Sequence, residues 1–204
     1  MEQKIIVIAS SNLHKLKEFA KMFSENETTK DYKFLTLKDI EFFDDIDETG
    51  ETFEENALIK ANAVNKFLKS KNLQYYVIAD DSGLCVDALG GAPGVYSARY
   101  AESHNDEANR AKLKRELLGK ENRQAKFMTC LVFMKPNGEY ISCIGETKGE
   151  ILLEEKGSLE FCYDPLFYSY DLKKSFGEST EAEKNSVSHR GRAVANLIKK
   201  LKNI

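Results

Sequence analysis

Adjacent carboxylates at Asp80 and Asp81 follow the apolar run from Tyr75 to Ala79 and precede Ser82 and Gly83. The run reads as a buried strand with the doublet at its end, where like charges repel and lose hydration unless a cation or a proton relieves them. Magnesium is the natural relief: it takes oxygen ligands, keeps several waters, and needs only one or two protein carboxylates besides substrate phosphates. The acidic stretch from Asp44 to Glu48 is a source of another carboxylate, with Asp44 and Asp45 read as solvated.

Other groups suit an anionic, ring-bearing ligand. Ser10, Ser11, Asn12 and Lys15 follow the apolar run Ile5 to Ala9, where a helix start exposes unpaired N–H groups and outlines an anion site. It is not a Walker A loop, because the glycines and the Gly-Lys-Ser/Thr ending are missing. Lys184, Ser188, His189, Arg190 and Arg192 gather donors at the start of a final helix, which suits a phosphate or a base edge. Phe161, Cys162, Tyr163 and Asp164 combine aromatic faces with a carboxylate, a pairing that stacks and hydrogen-bonds bases. Each group taken alone also has a plain reading: a helix cap with a solvated lysine, a solvated basic face, a core strand ending in a turn. His14 and His104 read as incidental.

Several elements must position these residues. Leu13, Leu16, Phe19 and Phe23 recur at helical spacing after the first strand. Thr52-Phe-Glu-Glu55 has the form of a capping box and opens a helix carrying Ala57, Ala61, Val64 and Leu68 to about Lys71. Asn105 to Leu118, closed by Gly119, is helical by pattern. Phe127 to Met134 and Tyr140 to Ile144 flank a turn at Lys135-Pro-Asn-Gly138 and predict a hairpin, with further strands near Glu150 to Leu153 and Leu166 to Tyr170. Ser188 opens the last helix. Strands alternating with helices, then hairpin strands, imply an α/β fold with a mixed sheet. With no internal repeat and no linker rich in Gly, Ser or Pro, residues 1–204 read as one domain.

Composition excludes several classes. The 204 residues are 42% hydrophobic and 31% charged, which is globular rather than disordered. Thirty Lys and Arg against 33 Asp and Glu leave a net charge of -3, so there is no chain-wide basic field for nucleic acid. No apolar run approaches the roughly 20 residues of a membrane span, and the start does not read as a signal peptide, so a cytoplasmic location is expected. Cys85, Cys130, Cys143 and Cys162 show neither metal-site nor disulfide spacing and read as small buried hydrophobes.

The order and wording of these motifs resemble the inosine triphosphate pyrophosphatase family, in its bacterial-type form, through nearly the whole chain. The likeness is carried by Ser10 to Lys15 with Glu18, Glu48-Thr-Gly50, Thr52-Phe-Glu-Glu-Asn-Ala57 with Lys60, Ala79 to Leu84, Val86 to Tyr100, Tyr163-Asp-Pro165 and Ser188-His-Arg-Gly191. It implies an elongated mixed sheet flanked by helices, with two lobes around a deep cleft. It also implies a homodimer, dependence on Mg²⁺, and cleavage of ITP, dITP or XTP to the monophosphate and pyrophosphate. Carried over by residue, Ser10, Ser11, Asn12, Leu13, His14 and Lys15 would bind substrate, Asn12 and Lys15 at its phosphates. Glu48 and Asp81 would position the metal, and Asp81 would accept a proton. Lys60, Ser82 and Lys184 would touch the substrate, while Phe161, Cys162, Tyr163, Asp164, His189 and Arg190 would form the base-recognising end. Two departures stand out: Ser11 replaces a glycine of the usual Thr-Gly-Asn turn, and Cys162 replaces a glycine of the usual Phe-Gly-Tyr-Asp. The alternatives are a pyrophosphatase acting on other modified or canonical nucleotides, and a nucleotide-binding module without turnover. For the second, paired carboxylates at Glu48 and Asp81 would serve no purpose.

Overall fold

The computed structural model describes residues 4–10, 13–102, 105–158 and 162–202, without the side chains of Leu13 and His14. The first apolar run forms β1 (Ile5–Ile8), followed by α1 (Leu13–Ser24), which buries Phe19 and Phe23, and by the short β2 (Lys33–Leu35). The predicted capping box opens α2 (Phe53–Ser70): the Glu55 N–H donates to Thr52 Oγ1 at 3.2 Å, and the Thr52 N–H donates to Glu55 Oε2 at 3.1 Å. Removing such a cap costs about 0.5–2 kcal/mol. The helix then buries Ala57, Ala61, Val64 and Leu68 along one side, as their spacing requires.

Next come β3 (Tyr76–Val86), α3 (Asp106–Glu116) capped by Asn105, and the hairpin of β4 (Gln124–Met134) and β5 (Tyr140–Ile151). The hairpin turn is closed by the Gly138 N–H on the Lys135 carbonyl at 2.9 Å, and Gly138 takes a φ of 100°, where a side chain would be strained. The short strands β6 (Phe167–Ser169) and β7 (Lys174–Ser175) precede α4 (Glu181–Val187) and α5 (His189–Leu201). Ser188 caps α5 as expected, its Oγ accepting from the Gly191 N–H at 3.0 Å.

Among the described residues the sheet has seven strands in the order β2-β1-β3-β4-β5-β6-β7. β1 runs parallel to β2 and β3, whereas β6 runs antiparallel to β5 and β7, so the fold is α/β with a mixed sheet, as the sequence implies. The chain divides into two compact units. The first comprises Met1–Asp81, Cys130–Ile144 and Ala193–Ile204; the second comprises Ser82–Thr129 and Gly145–Arg192.

Within the first unit the sheet is covered on both faces. Val7, Ala9, Val77, Ala79 and Val132 pack against α2, while Ile6, Ile8, Ile78, Leu131 and Phe133 pack against Phe19 and Phe23 of α1 and Ala193 and Leu197 of α5. Continuous apolar runs are what a strand buried on both sides demands. The second unit closes its core with Leu84, Val86, Leu113, Leu117, Phe127, Leu166, Phe167 and Phe176.

Two expectations need correction. The strand expected to stop before Asp80 continues to Val86, so the carboxylates lie within it. Ser82 and Gly83 do not turn the chain, because Leu84 and Val86 still have a core to enter. The cysteines divide: Cys130 and Cys143 are buried, but Cys85 and Cys162 only partly so. Burial nevertheless pushes all of these thiols up, Cys130 to about 12, which leaves them poor nucleophiles near neutral pH. Among the described residues no helix is long and apolar enough to cross a membrane.

Candidate active site

Alternation along β3 sets the geometry of the acidic doublet. Successive side chains leave a strand on opposite faces, so Asp81 shares the face of Val77 and Ala79, against α2, and Asp80 shares that of Ile78, toward α1. Asp80 therefore meets Lys15 of α1, with Nζ 3.0 Å from Oδ2 and 3.1 Å from Oδ1; the carboxylate is 1% exposed and the lysine 22%. Asp81 instead meets Lys60 of α2, with Nζ 3.5 Å from Oδ1. The doublet is two ion pairs on two faces and not one shared acidic site.

Lys60 also lies 3.1 Å from Glu48 Oε1, so one ammonium joins the carboxylates of two distant stretches. Asn56, one turn earlier on α2, donates from Nδ2 to Asp81 Oδ2 at 3.1 Å and accepts the Gly50 N–H on Oδ1 at 2.8 Å. Asp44, Asp45 and Asp47 are exposed, as read for the first two, while Glu48 turns inward. Burial raises the Asp81 carboxyl above its ordinary value of 3.8; Lys60 opposes the shift and Glu48 reinforces it.

The donor set fits a hard divalent cation. Glu48 and Asp81 offer carboxylate oxygens on either side of Lys60, and Mg²⁺ bound with phosphate oxygens and waters needs no larger protein set. Among the described residues no group of three or more His, Cys, Asp or Glu side chains forms an all-protein cage.

In the second unit, Lys184 of α4 is ion-paired to the buried Asp164 and lies 5.7 Å above the Phe176 ring. His189, at the start of α5, stacks on Phe127 with ring centroids 5.1 Å apart and planes 16° from parallel. Tyr163 is buried and donates its hydroxyl to the Ser97 carbonyl at 2.9 Å; burial pushes that phenol well up. Ser82 and Thr129 share a hydroxyl hydrogen bond of 2.7 Å. Cys162 offers its carbonyl to Arg110 Nη1 at 3.0 Å.

Thus Glu48, Lys60 and Asp81 come together in the first unit, with Lys15 on the opposite face of β3. Asp164 and Lys184 form a pair in the second unit. Ser10 follows β1, its N–H donating to the Ile8 carbonyl at 2.8 Å, and Arg190 follows His189 in α5. Ser11, Asn12, His104 and Phe161, and the side chains of Leu13 and His14, lie outside the described residues. Sequence reasoning gave no separate role to Asn56, Phe127 or Arg110. The spacing of Asn56 and Lys60, four apart on one helix face, was the available signal for the first.

Comparison with known proteins agrees with this architecture. A sequence profile of the Ham1 family matches residues 6–200. A protein named dITP/XTP pyrophosphatase from Clostridium perfringens is 44% identical over 98% of each chain, and one of the same name from Bacillus subtilis is 44% identical over 97% of each. Among solved structures, the Staphylococcus aureus Ham1 protein superposes with a TM-score of 0.86 at 39% identity, covering 98% of this chain and 99% of its own. A HAM1 protein from Coxiella burnetii gives 0.85 at 36% identity, covering 98% and 100%. On a match that spans nearly every residue, in sequence and in fold, the chain belongs to the Ham1 family.

Proposed function

We propose that this protein hydrolyses non-canonical purine nucleoside triphosphates, namely ITP, dITP and XTP, to the monophosphate and pyrophosphate. The observation that carries the reading is the buried Asp81 carboxylate, joined through Lys60 to Glu48, in a chain 44% identical to proteins named dITP/XTP pyrophosphatase.

The reaction breaks the bond between the α phosphorus and the α–β bridging oxygen while water adds to the α phosphorus. Asp81 takes the proton of that water as general base. Glu48 and Asp81 would hold Mg²⁺, which when bound supplies charge stabilisation to the phosphoryl oxygens. Lys15 and Lys60 neutralise phosphate oxygens as charge moves to the leaving pyrophosphate, exchanging their carboxylate partners for substrate. Ser10, Ser11, Asn12, Leu13 and His14 bind the substrate, Asn12 at its phosphates, and Ser82 adds a hydroxyl.

Lys184 touches the substrate, as Lys60 and Ser82 do, and base reading falls to Phe161, Cys162, Tyr163, Asp164, His189 and Arg190. Hypoxanthine and xanthine present a 6-oxo acceptor and an N1–H donor. A protein N–H aimed at O6 meets the amino group of adenine donor against donor, which leaves buried groups unpaired. The enzyme acts as a cytoplasmic homodimer on free nucleotides, with no role for nucleic acid or membrane. Incubation with Mg²⁺ and a panel of purine and pyrimidine triphosphates, followed by phosphorus NMR, tests the reading. Pyrophosphate from ITP and XTP, with little from ATP, supports it; orthophosphate alone, or no turnover, defeats it.

A further inference from the structure

Helix α2 presents Asn56 and Lys60 one turn apart, and each side chain touches both the 48–50 segment and Asp81. Lys60 reaches Glu48 Oε1 and Asp81 Oδ1, whereas Asn56 takes the Gly50 N–H and gives a hydrogen bond to Asp81 Oδ2. The orientation of the Asn56 amide is fixed by this pairing: the Gly50 N–H requires the amide oxygen, which leaves only the NH₂ group to face the carboxylate. The amide is fully buried, so water does not substitute for either contact. Gly50 is part of the device, because a Cβ there would come within 2.8 Å of Asn56 Oδ1 and 2.7 Å of Glu55 Cβ.

From this geometry we infer that Asn56 is the positioning residue of the reaction: by engaging Oδ2 of Asp81 it reserves Oδ1 for the Lys60 and Glu48 side of the site. The inference rests on the reading of Asp81 as proton acceptor. An Asp81 without this tether keeps its charge but rotates about its side-chain torsions, so turnover falls while substrate, held by other groups, still binds. Losing an outer-shell partner of this kind typically costs about 10- to 100-fold.

The test measures turnover of ITP by Asn56→Ala and Asn56→Ser, counting competent sites by titration with an inosine triphosphate whose α–β bridge is a methylene group. Both variants should lose about 10- to 100-fold in kcat per titrated site, with the dissociation constant of the analogue within about three-fold of the parent. Gly50→Ala, which pushes on the same amide, should lose kcat too and add little to Asn56→Ala, since both act through one contact. Wild-type kcat per competent site in either Asn56 variant overturns the inference, as does a loss confined to analogue affinity. Should one variant fold too poorly to titrate, the other decides. Asp81→Asn is run alongside: if it keeps turnover, the reading of Asp81 fails, whereas a dead Asp81→Asn beside fully active Asn56 variants removes only the positioning role.

Discussion

Each unit contains a buried carboxylate beside a lysine, and the two pairs are built differently. Asp81 lies 3.5 Å from a lysine that it shares with Glu48, has an amide on its other oxygen, and is raised from its ordinary value by burial. Asp164 has Lys184 in close contact, and that lysine rests over the face of Phe176. The first carboxylate shares one ammonium with a second acid, a setting that suits proton acceptance and cation binding. The second meets its lysine beside an aromatic ring, which suits holding the surrounding segment in shape. The same two residue types thus occur once in a cluster shared by two acids and once in a pair set against an aromatic face.

The largest expected effect is at Asp81. Asp81→Asn should lose about 10²- to 10⁴-fold in kcat, the usual worth of a positioned general base, while its circular dichroism stays that of the parent. Stability should move the other way. A raised carboxyl means the folded chain holds a proton that the unfolded chain releases, so the wild-type protein loses stability as pH rises from the ordinary value of 3.8 through the raised one. Asp81→Asn removes that loss and should unfold at a higher temperature than the parent at pH 7, the gap closing on acidification. A variant with parental kcat, or one destabilised at pH 7, would erase the distinction between the pairs.

At the second pair the expected damage is to stability. Lys184→Met leaves the Asp164 carboxylate buried without its cation and should cost about 3–5 kcal/mol in denaturant unfolding. Adding Asp164→Asn to it should recover part of that loss. If Lys184→Met unfolds like the parent, the pair is not structural.

A smaller effect sharpens the recognition role. If Arg190 supplies the donor to O6, Arg190→Ala should reduce the ratio of kcat/KM for ITP over ATP by about two- to ten-fold, the size expected of one hydrogen bond of about 0.5–1.5 kcal/mol. An unchanged ratio refutes the assignment.

The smallest effect is at Glu183, whose exposed carboxyl is drawn down to about 2, chiefly by its hydrogen bond from Lys174. A depressed acid has the opposite linkage to Asp81: its contribution is present above the ordinary value of 4.5 and fades as pH falls toward 2. Melting curves of wild type and Glu183→Gln should differ slightly at pH 6 and converge near pH 2; a gap that widens with acid contradicts the assignment.

Much of this was legible in the residues. The capping box at Thr52, the apolar stripe of α2, the hairpin around Gly138 and the Ser188 cap each follow from local chemistry, and the structure contains them. The short β2, β7 and α4 were not legible, since two to seven residues are too few for a periodic signal. The doublet was misjudged for a specific reason. Treating Asp80 and Asp81 as neighbours in sequence ignores that a strand sends them to opposite faces, and the strand's true length depends on whether Leu84 and Val86 find a core, which only tertiary packing decides. The tether from Asn56 was equally hidden, because its partner lies 25 residues away.

The central claim is that water, activated at Asp81, adds to the α phosphorus. Hydrolysis of ITP in water enriched in ¹⁸O locates the bond directly. The account predicts the label in inosine monophosphate and none in pyrophosphate. Label in pyrophosphate, or its appearance in orthophosphate, would contradict it.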